Sequence, residues 1–320
     1  MARLPHTAFA GPSQRVGSDT QSSRRLSKAG SPVRVGVAGW SYPDWEGIVY
    51  PKTPRTDGLV HLARYLDTIE VNSPFYRIPS PKTTASWARR APAKTGFRFT
   101  LKLFQGFTHD RSAGSREEQA FKQALAPLME AELLGGLLLQ FPWSFKNDPE
   151  SRDYLNKLLD RFFGYPLVVE IRHASWNDRS FFDFLTQKAI AFCNIDQPRI
   201  GRSIGPSSHA TGPIGYVRLH GRNYQDWFRE DAGRDARYDY LYSEEELDPW
   251  MEKISEISES ASETYVITNN HFRGQAVVNA LQIRARIEKR KVLAPASLLE
   301  RYPVLRSVAE PDGPEQPSLF

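Results

Sequence analysis

"VRVGVAGWSYPDW", residues 33–45, is a β-branched apolar run that closes on a glycine and passes directly into an aromatic loop. It decides between two large α/β architectures. A doubly wound dinucleotide fold puts a G-x-G-x-x-G turn after its first strand, because only bare backbone approaches a pyrophosphate closely there. The turn here, "GWSYPDW", has neither that pattern nor a Walker sequence.

Seven more runs of the same kind follow: "TIEVN" (68–72), "FRFTLKL" (97–103), "GGLLLQF" (135–141), "LVVEIRH" (167–173), "IAFCNID" (190–196), "GYVRLHG" (215–221) and "TYVITNN" (264–270). Between most of them lie stretches such as "RDYLNKLLDRFF" and "SEEELDPWMEKISEIS", with apolar residues at three- and four-residue spacing, as amphipathic helices on a sheet require. "TTASWARRAP" (83–92) supplies a short helix between the second and third runs. Eight strand–helix units in 320 residues predict an α/β protein with a closed (β/α)8 barrel of the TIM type.

Composition agrees. With 40% hydrophobic and 12% aromatic residues the chain can fill a large core. No window approaches the roughly 18 uncharged apolar residues of a membrane span, so no membrane partner is expected. The one cysteine, Cys193, excludes an internal disulfide and a thiolate metal cluster, and fits a reducing, cytoplasmic setting. Inside an apolar run it reads as a small core residue rather than a nucleophile. No G-x-S-x-G elbow occurs, and Ser41 has no identifiable base.

The net charge of +5 is uneven. Residues 1–31 hold Arg3, Arg15, Arg24, Arg25 and Lys28 against Asp19, lack apolar periodicity and read as a disordered basic extension. No apolar h-region follows these arginines, which argues against a secretory signal, whereas an organelle transit peptide would share the composition. Residues 32–306 form the barrel domain, and 307–320, acidic and rich in Pro and Gly, read as a flexible tail.

In a barrel the chemistry sits where strands end. The ends here are polar: Glu70 and Asn72; Lys102, with His109 in the loop beyond; Gln140; Glu170, Arg172 and His173; Asp196; Arg218, His220 and Arg222; and Asn269, Asn270 and His271. Period two puts Glu70 with Asn72, Glu170 with Arg172, and Arg218 with His220 and Arg222 on shared faces. Buried Glu and Arg can pair merely to neutralise each other. So many polar strand ends exceed that need, and apolar residues would fill the space more stably, so they read as one polar funnel. Glu70, Glu170, His173 and His220 are its candidate proton-transfer groups. Tyr42, Trp45, Asn72, Tyr76, Lys102, His109, Gln140, Arg172, Arg218, Arg222 and Asn270 are the candidate substrate-binding set. Glu70, Glu170, His173, His220, His271 and Asp196 could also supply ligands to a divalent metal. Lys102 and three arginines would repel a cation in the same mouth, so an anion-binding site is favoured over a metal cofactor. Trp40, Tyr42, Trp45, Tyr50, Phe75 and Tyr76 belong near the funnel rather than in the central core, stacking on substrate or walling it from water.

"GVAGWSYPDWEGIVYP", "IEVNSPFYRIPSPKTTASWARRAP", "FTLKLFQGFTH", "LLLQFPWSF", "VVEIRHASW", "YVRLHGR" and "NNHFRGQAVVNA" appear in order between about Val33 and Arg290. Together they resemble the YecE-like family, domain of unknown function 72. Pro74 departs from the Thr or Ser that many members have. The resemblance implies a TIM-barrel fold but no settled reaction. The barrel is broadly similar to xylose-isomerase-like and endonuclease-IV-like enzymes, which use divalent metals on sugars or abasic DNA. Their ligand pattern does not align here, and the analogy is one of fold only.

The chain ends "EQPSLF" (315–320), where Gln316, Leu319 and Phe320 resemble the Q-x-x-L-F motif that docks bacterial repair and replication proteins on the sliding clamp. Pro317 departs from the leucine often found second. With the cationic mouth, the tail favours an enzyme of phosphate-containing substrates, a hydrolase or lyase of nucleic acid processing or repair. The alternatives are an enzyme of a small phosphorylated or carboxylated sugar-like substrate, and a non-catalytic adaptor.

Overall fold

The computed structural model describes residues 31–53, 56–92, 96–225 and 236–313. Residues 1–30 of the basic extension and the tail residues Gln316, Leu319 and Phe320 lie outside them. Eight parallel strands close into a barrel in sequence order: β1 (Val33–Ala38), β2 (Thr68–Val71), β3 (Arg98–Lys102), β4 (Leu134–Gln140), β5 (Leu167–Glu170), β6 (Ala191–Asp196), β7 (Ile214–Leu219) and β8 (Glu263–Thr268). β8 returns to β1 with Val35 opposite Val266 and Gly36 opposite Ile267.

The main crossover helices are Pro81–Arg90, Ser115–Glu130, Pro149–Arg161, Arg179–Gln187, Glu244–Ser260 and Gln275–Glu288. Their starts are readable in the sequence. Ser80, Asp148, Asp178 and Ser243 each accept a backbone N–H of the first turn, and Ser243 with Glu246 forms a full capping box. Leu247, Trp250, Ile254 and Ile257 of Glu244–Ser260 are buried, the spacing its apolar stripe predicts. Two crossovers are slighter than the eightfold pattern implies. The helix after β1 is only Gly58–Leu62, and residues 197–213 join β6 to β7 without a helix.

Inside the barrel, large side chains of one strand fill space that glycines leave on another. A Cβ on Gly135 would collide with the Tyr265 hydroxyl from across the barrel, and one on Gly36 with the Thr68 carbonyl. Tyr216, Tyr265 and Cys193 are fully buried in this interior, and the Cys193 thiol faces Glu170 Oε2 at 3.9 Å. Burial raises the thiol pKa, as suits a core residue.

The chain beyond residue 306 departs from the flexible reading. β9 (Val292–Ala294) pairs in parallel with β10 (Ala309–Pro311), and Ala309 is buried. Asp312 accepts a hydrogen bond from the Tyr65 hydroxyl at 3.0 Å and pairs with Arg64. Pairing and packing therefore continue through the described residues beyond 306. Residues 309–312 are held by these partners, which composition does not reveal.

Candidate functional site

Alternation along the strands sorts the polar residues into two sets. On β7, Tyr216 and Arg218 point inward, followed by His220; on β2, Glu70; on β3, Thr100 and Lys102; on β5, Glu170, followed by Arg172. Arg218 lies between the two acids. Its Nη2 donates to Glu70 Oε1 at 2.7 Å, and its Nη1 bonds Glu170 Oε2. All three are buried to 1% or less. Arg172 reaches the other Glu170 oxygen, with Nη2 at 2.8 Å and Nε at 3.0 Å. The Tyr216 hydroxyl lies 3.0 Å from Glu70 Oε2 and 2.8 Å from Thr100 Oγ1.

Buried among guanidinium groups, Glu170 stays ionised: Arg218 and Arg172, with His220, outweigh the desolvation that would raise its pKa and hold it well below the carboxylate range. His220 is pushed the other way, down to about 3, first by burial and then by Arg172 and Arg218. It is therefore neutral at pH 7. Asn269 Nδ2 lies 3.0 Å from His220 Nδ1, while Nε2 lies 3.4 Å from Glu170 Oε1 and 3.3 Å from Arg172 Nη2.

Above this buried layer opens a cavity of about 140 Å³, lined by Tyr42, Asn72, Tyr76, Lys102, Gln140, Arg172, Arg218, Tyr238, Asn269 and His271. Its described lining contains three cationic side chains and no carboxylate. Lys102 Nζ donates to Gln140 Oε1 at 2.8 Å and sits 4.0 Å above the Phe75 ring. Burial, then the charge of Arg218, pushes its pKa down to about 7, against the opposing pull of Glu70 and Glu170. His109, edge-on to Phe75, is lowered to about 4 by burial and then by Lys102 and Arg172. The Asn72 Oδ1 is buried and accepts no hydrogen bond from the described residues. Tyr42 stacks on His271 at 4.5 Å and Tyr238 packs on the same imidazole at 4.6 Å. Tyr42 also borders a larger, more open cleft of about 800 Å³ with Trp40, Tyr50, Lys52, Asp57 and Arg90.

The sequence-predicted set divides accordingly. Tyr42, Asn72, Tyr76, Lys102, Gln140, Arg172 and Arg218 meet around the cavity. Glu70, Glu170 and His220 lie in the buried layer behind Arg218 rather than in the lining. His109 stands beside Phe75 just outside it. Trp45 is fully buried, with its indole N–H donating to the His271 carbonyl at 2.6 Å, so it supports the rim from the core.

His173, Arg222 and Asn270 are not brought to the cavity. His173 follows Arg172 and so has the opposite parity; it is 2.7 Å from Ser175 Oγ and packs on Trp143. Gly221, at φ 90°, turns the chain so that Arg222 pairs with Asp196 at 2.7 Å and with Glu246. Asp196 faces outward from β6, where it also accepts from the Trp250 indole at 2.7 Å. Asn270 donates to the Tyr240 carbonyl at 2.7 Å and to Asn279 at 2.8 Å. Asn269, on the inward parity of Tyr265, takes the place at the cavity expected of Asn270.

The donor set does not fit a divalent metal. Glu70 and Glu170 are engaged by Arg218, Asp196 by Arg222, and among the described residues no three His, Cys, Asp or Glu side chains converge as a metal site needs. No helix among these residues is long and apolar enough to cross a membrane.

The chain has relatives on several sides. The UPF0759 protein YunF of Bacillus subtilis (strain 168) is 30% identical over 266 residues, covering 78% of this chain and 93% of that protein. A DUF72 family protein of Thermotoga maritima MSB8, known from a crystal structure, superposes with a TM-score of 0.71 at 35% identity over 80% of this chain and 99% of its own. One from Enterococcus faecalis V583 gives 0.71 at 28% identity, over 80% of this chain and 95% of its own. The pattern of the family described as "Protein of unknown function DUF72" matches residues 34–301, and the chain belongs to that family.

Proposed function

We propose that the barrel mouth is the site of an enzyme acting on a small phosphorylated or carboxylated substrate. The observation that carries this reading is the cavity wall, where Lys102, Arg172 and Arg218 converge with amides and no acid. A concave site of this make-up attracts a phosphate or carboxylate and grips it through charge-assisted hydrogen bonds. Its volume of about 140 Å³ suits a few-carbon molecule better than a nucleotide. Arg172 and Arg218 hold the anion, Asn72 Oδ1 accepts from a donor on the substrate, and Lys102 is the group that moves a proton. Glu70 and Glu170 fix the arginines in place, and His220, neutral and buried, buttresses Glu170.

Inorganic phosphate at one hundred times its Kd is expected to stabilise the protein by about 2.7 kcal/mol, or about 4 °C in Tm for a domain of this size. Arg172→Ala should lose most of that gain. A Tm unmoved by phosphate and by short phosphorylated acids would remove the reading.

A second reading follows from the adjoining cleft, where Trp40, Tyr42 and Tyr50 lie beside Lys52 and Arg90. A longer phosphodiester could place its end in the small cavity and stack its bases in the cleft, which supports action on damaged nucleic acid. The sliding clamp would be its partner through Gln316, Leu319 and Phe320. Deleting Leu319 and Phe320 is expected to abolish pull-down by the clamp at unchanged Tm. Retained pull-down, or no cleavage and no salt-dependent binding of nicked or abasic DNA, would count against this reading.

A further inference from the structure

Lys102 differs from the other cations of the mouth. Arg172 and Arg218 are bound to carboxylates, whereas Lys102 forms no ion pair among the described residues and its Nζ bonds only the neutral Gln140 amide. It stands at the C-terminal end of β3, on the barrel wall, and lines the cavity with Asn72, Gln140 and Arg172. A lysine kept merely for charge balance would face an acid. Here the two nearby acids are turned toward Arg218.

We propose that Lys102 is a covalent nucleophile that captures a small aldehyde or ketone, whose phosphate or carboxylate group is held by Arg172 and Arg218. The proposal rests on the anion-site reading above and names the reacting function of the substrate. The neutral amine keeps one N–H on Gln140 Oε1 and directs its lone pair at the carbonyl carbon. A C–N bond forms. The carbonyl oxygen then departs as water, carrying both amine protons, and leaves a neutral imine that no oxidant or reductant is needed to make. The imine becomes an electron sink when it takes up a proton, as Schiff-base enzymes require. Desolvation and the neighbouring guanidinium groups bring the amine to about 7, so that near neutral pH much of it carries the needed lone pair. The ring of Phe75, 4.0 Å below, contributes a weaker cation–π preference for the charged form.

The full-length protein is incubated near neutral pH with glycolaldehyde phosphate or, in a parallel arm, glyoxylate, in the presence of sodium cyanoborohydride, then digested and mapped by mass spectrometry. One reduced adduct is expected on Lys102, formed at least about ten-fold faster than on any other lysine because ordinary lysines are almost wholly protonated. Excess inorganic phosphate should suppress it, and Lys102→Met should lack it. Labelling spread over the surface lysines at equal rates would overturn the proposal, and this readout needs only the wild-type chain. If phosphate raises the Tm while Lys102 stays unmodified, the imine falls and the anion site stands. If neither occurs, both fall. Preference for one arm identifies the anion as phosphate or carboxylate.

Discussion

Glu170→Gln is expected to destabilise the protein by about 3–5 kcal/mol. The side chain is wholly buried and takes hydrogen bonds from Arg218 and Arg172, with His220 beside them. Glutamine nearly preserves the volume but removes the charge, leaving two guanidinium groups with only Glu70 to answer them. Its amide would also turn an N–H toward a donor. Cavity effects are small here, so uncompensated charge sets the magnitude. The triple exchange Glu70→Gln, Glu170→Gln, Arg218→Met should recover part of the loss, because it removes the fully buried charges together and leaves only the partly exposed Arg172 without its acid. Urea denaturation of the two variants separates the possibilities, and equal losses in both would contradict this account of the buried layer.

Lys102→Met is expected to do the reverse and stabilise the fold, by about 3 kcal/mol below pH 7. The lysine is brought from 10.5 to about 7 by burial and by Arg218 and Arg172, with Glu70 and Glu170 pulling the other way. Between those values the unfolded chain binds a proton that the native state does not, so stability rises with pH across that window. Below it both states are charged and the native state bears the full penalty. The advantage of Lys102→Met should therefore be greatest near pH 6, worth about 5 °C in Tm, and vanish as pH approaches 10.5. The figure is below the full shift because the side chain is not wholly excluded from solvent. Melting curves of both proteins across this range test it, and a pH-independent difference would contradict it. A side chain whose charge weakens the fold is a mark of a functional residue.

The barrel was legible because its signals are local. Eight β-rich runs, capped helices and a first turn without the dinucleotide pattern all point to one closed sheet. The cation-rich mouth was legible too, since Lys102, Arg172 and Arg218 stand on ends whose parity aims them inward. His173, Asn270 and Asp196 lie away from the cavity for one reason. His173 is one residue past Arg172, Asn270 one past Asn269, and Asp196 three past the inward Cys193, so each points to the helical shell. Applying period two from Tyr216, Tyr265 and Cys193 would have sorted them. Arg222 has the right parity, but Gly221 ends the strand before it, and a glycine at that place was the available sign. The roles of Glu70 and Glu170 could not be read, because only three-dimensional proximity reveals that one arginine engages both. For the same reason β10 was hidden in a tail whose composition looked unstructured.

The central claim is that the barrel mouth holds an anion beside an amine that titrates near pH 7. Its most direct test is the titration of the Lys102 ε-carbon by NMR, with and without phosphate, assigned by its loss in Lys102→Met. A midpoint near 7 is expected in the unliganded protein, with an upward move when phosphate binds and no such move in Arg172→Ala. A midpoint in the ordinary lysine range near 10.4, indifferent to phosphate, would contradict it.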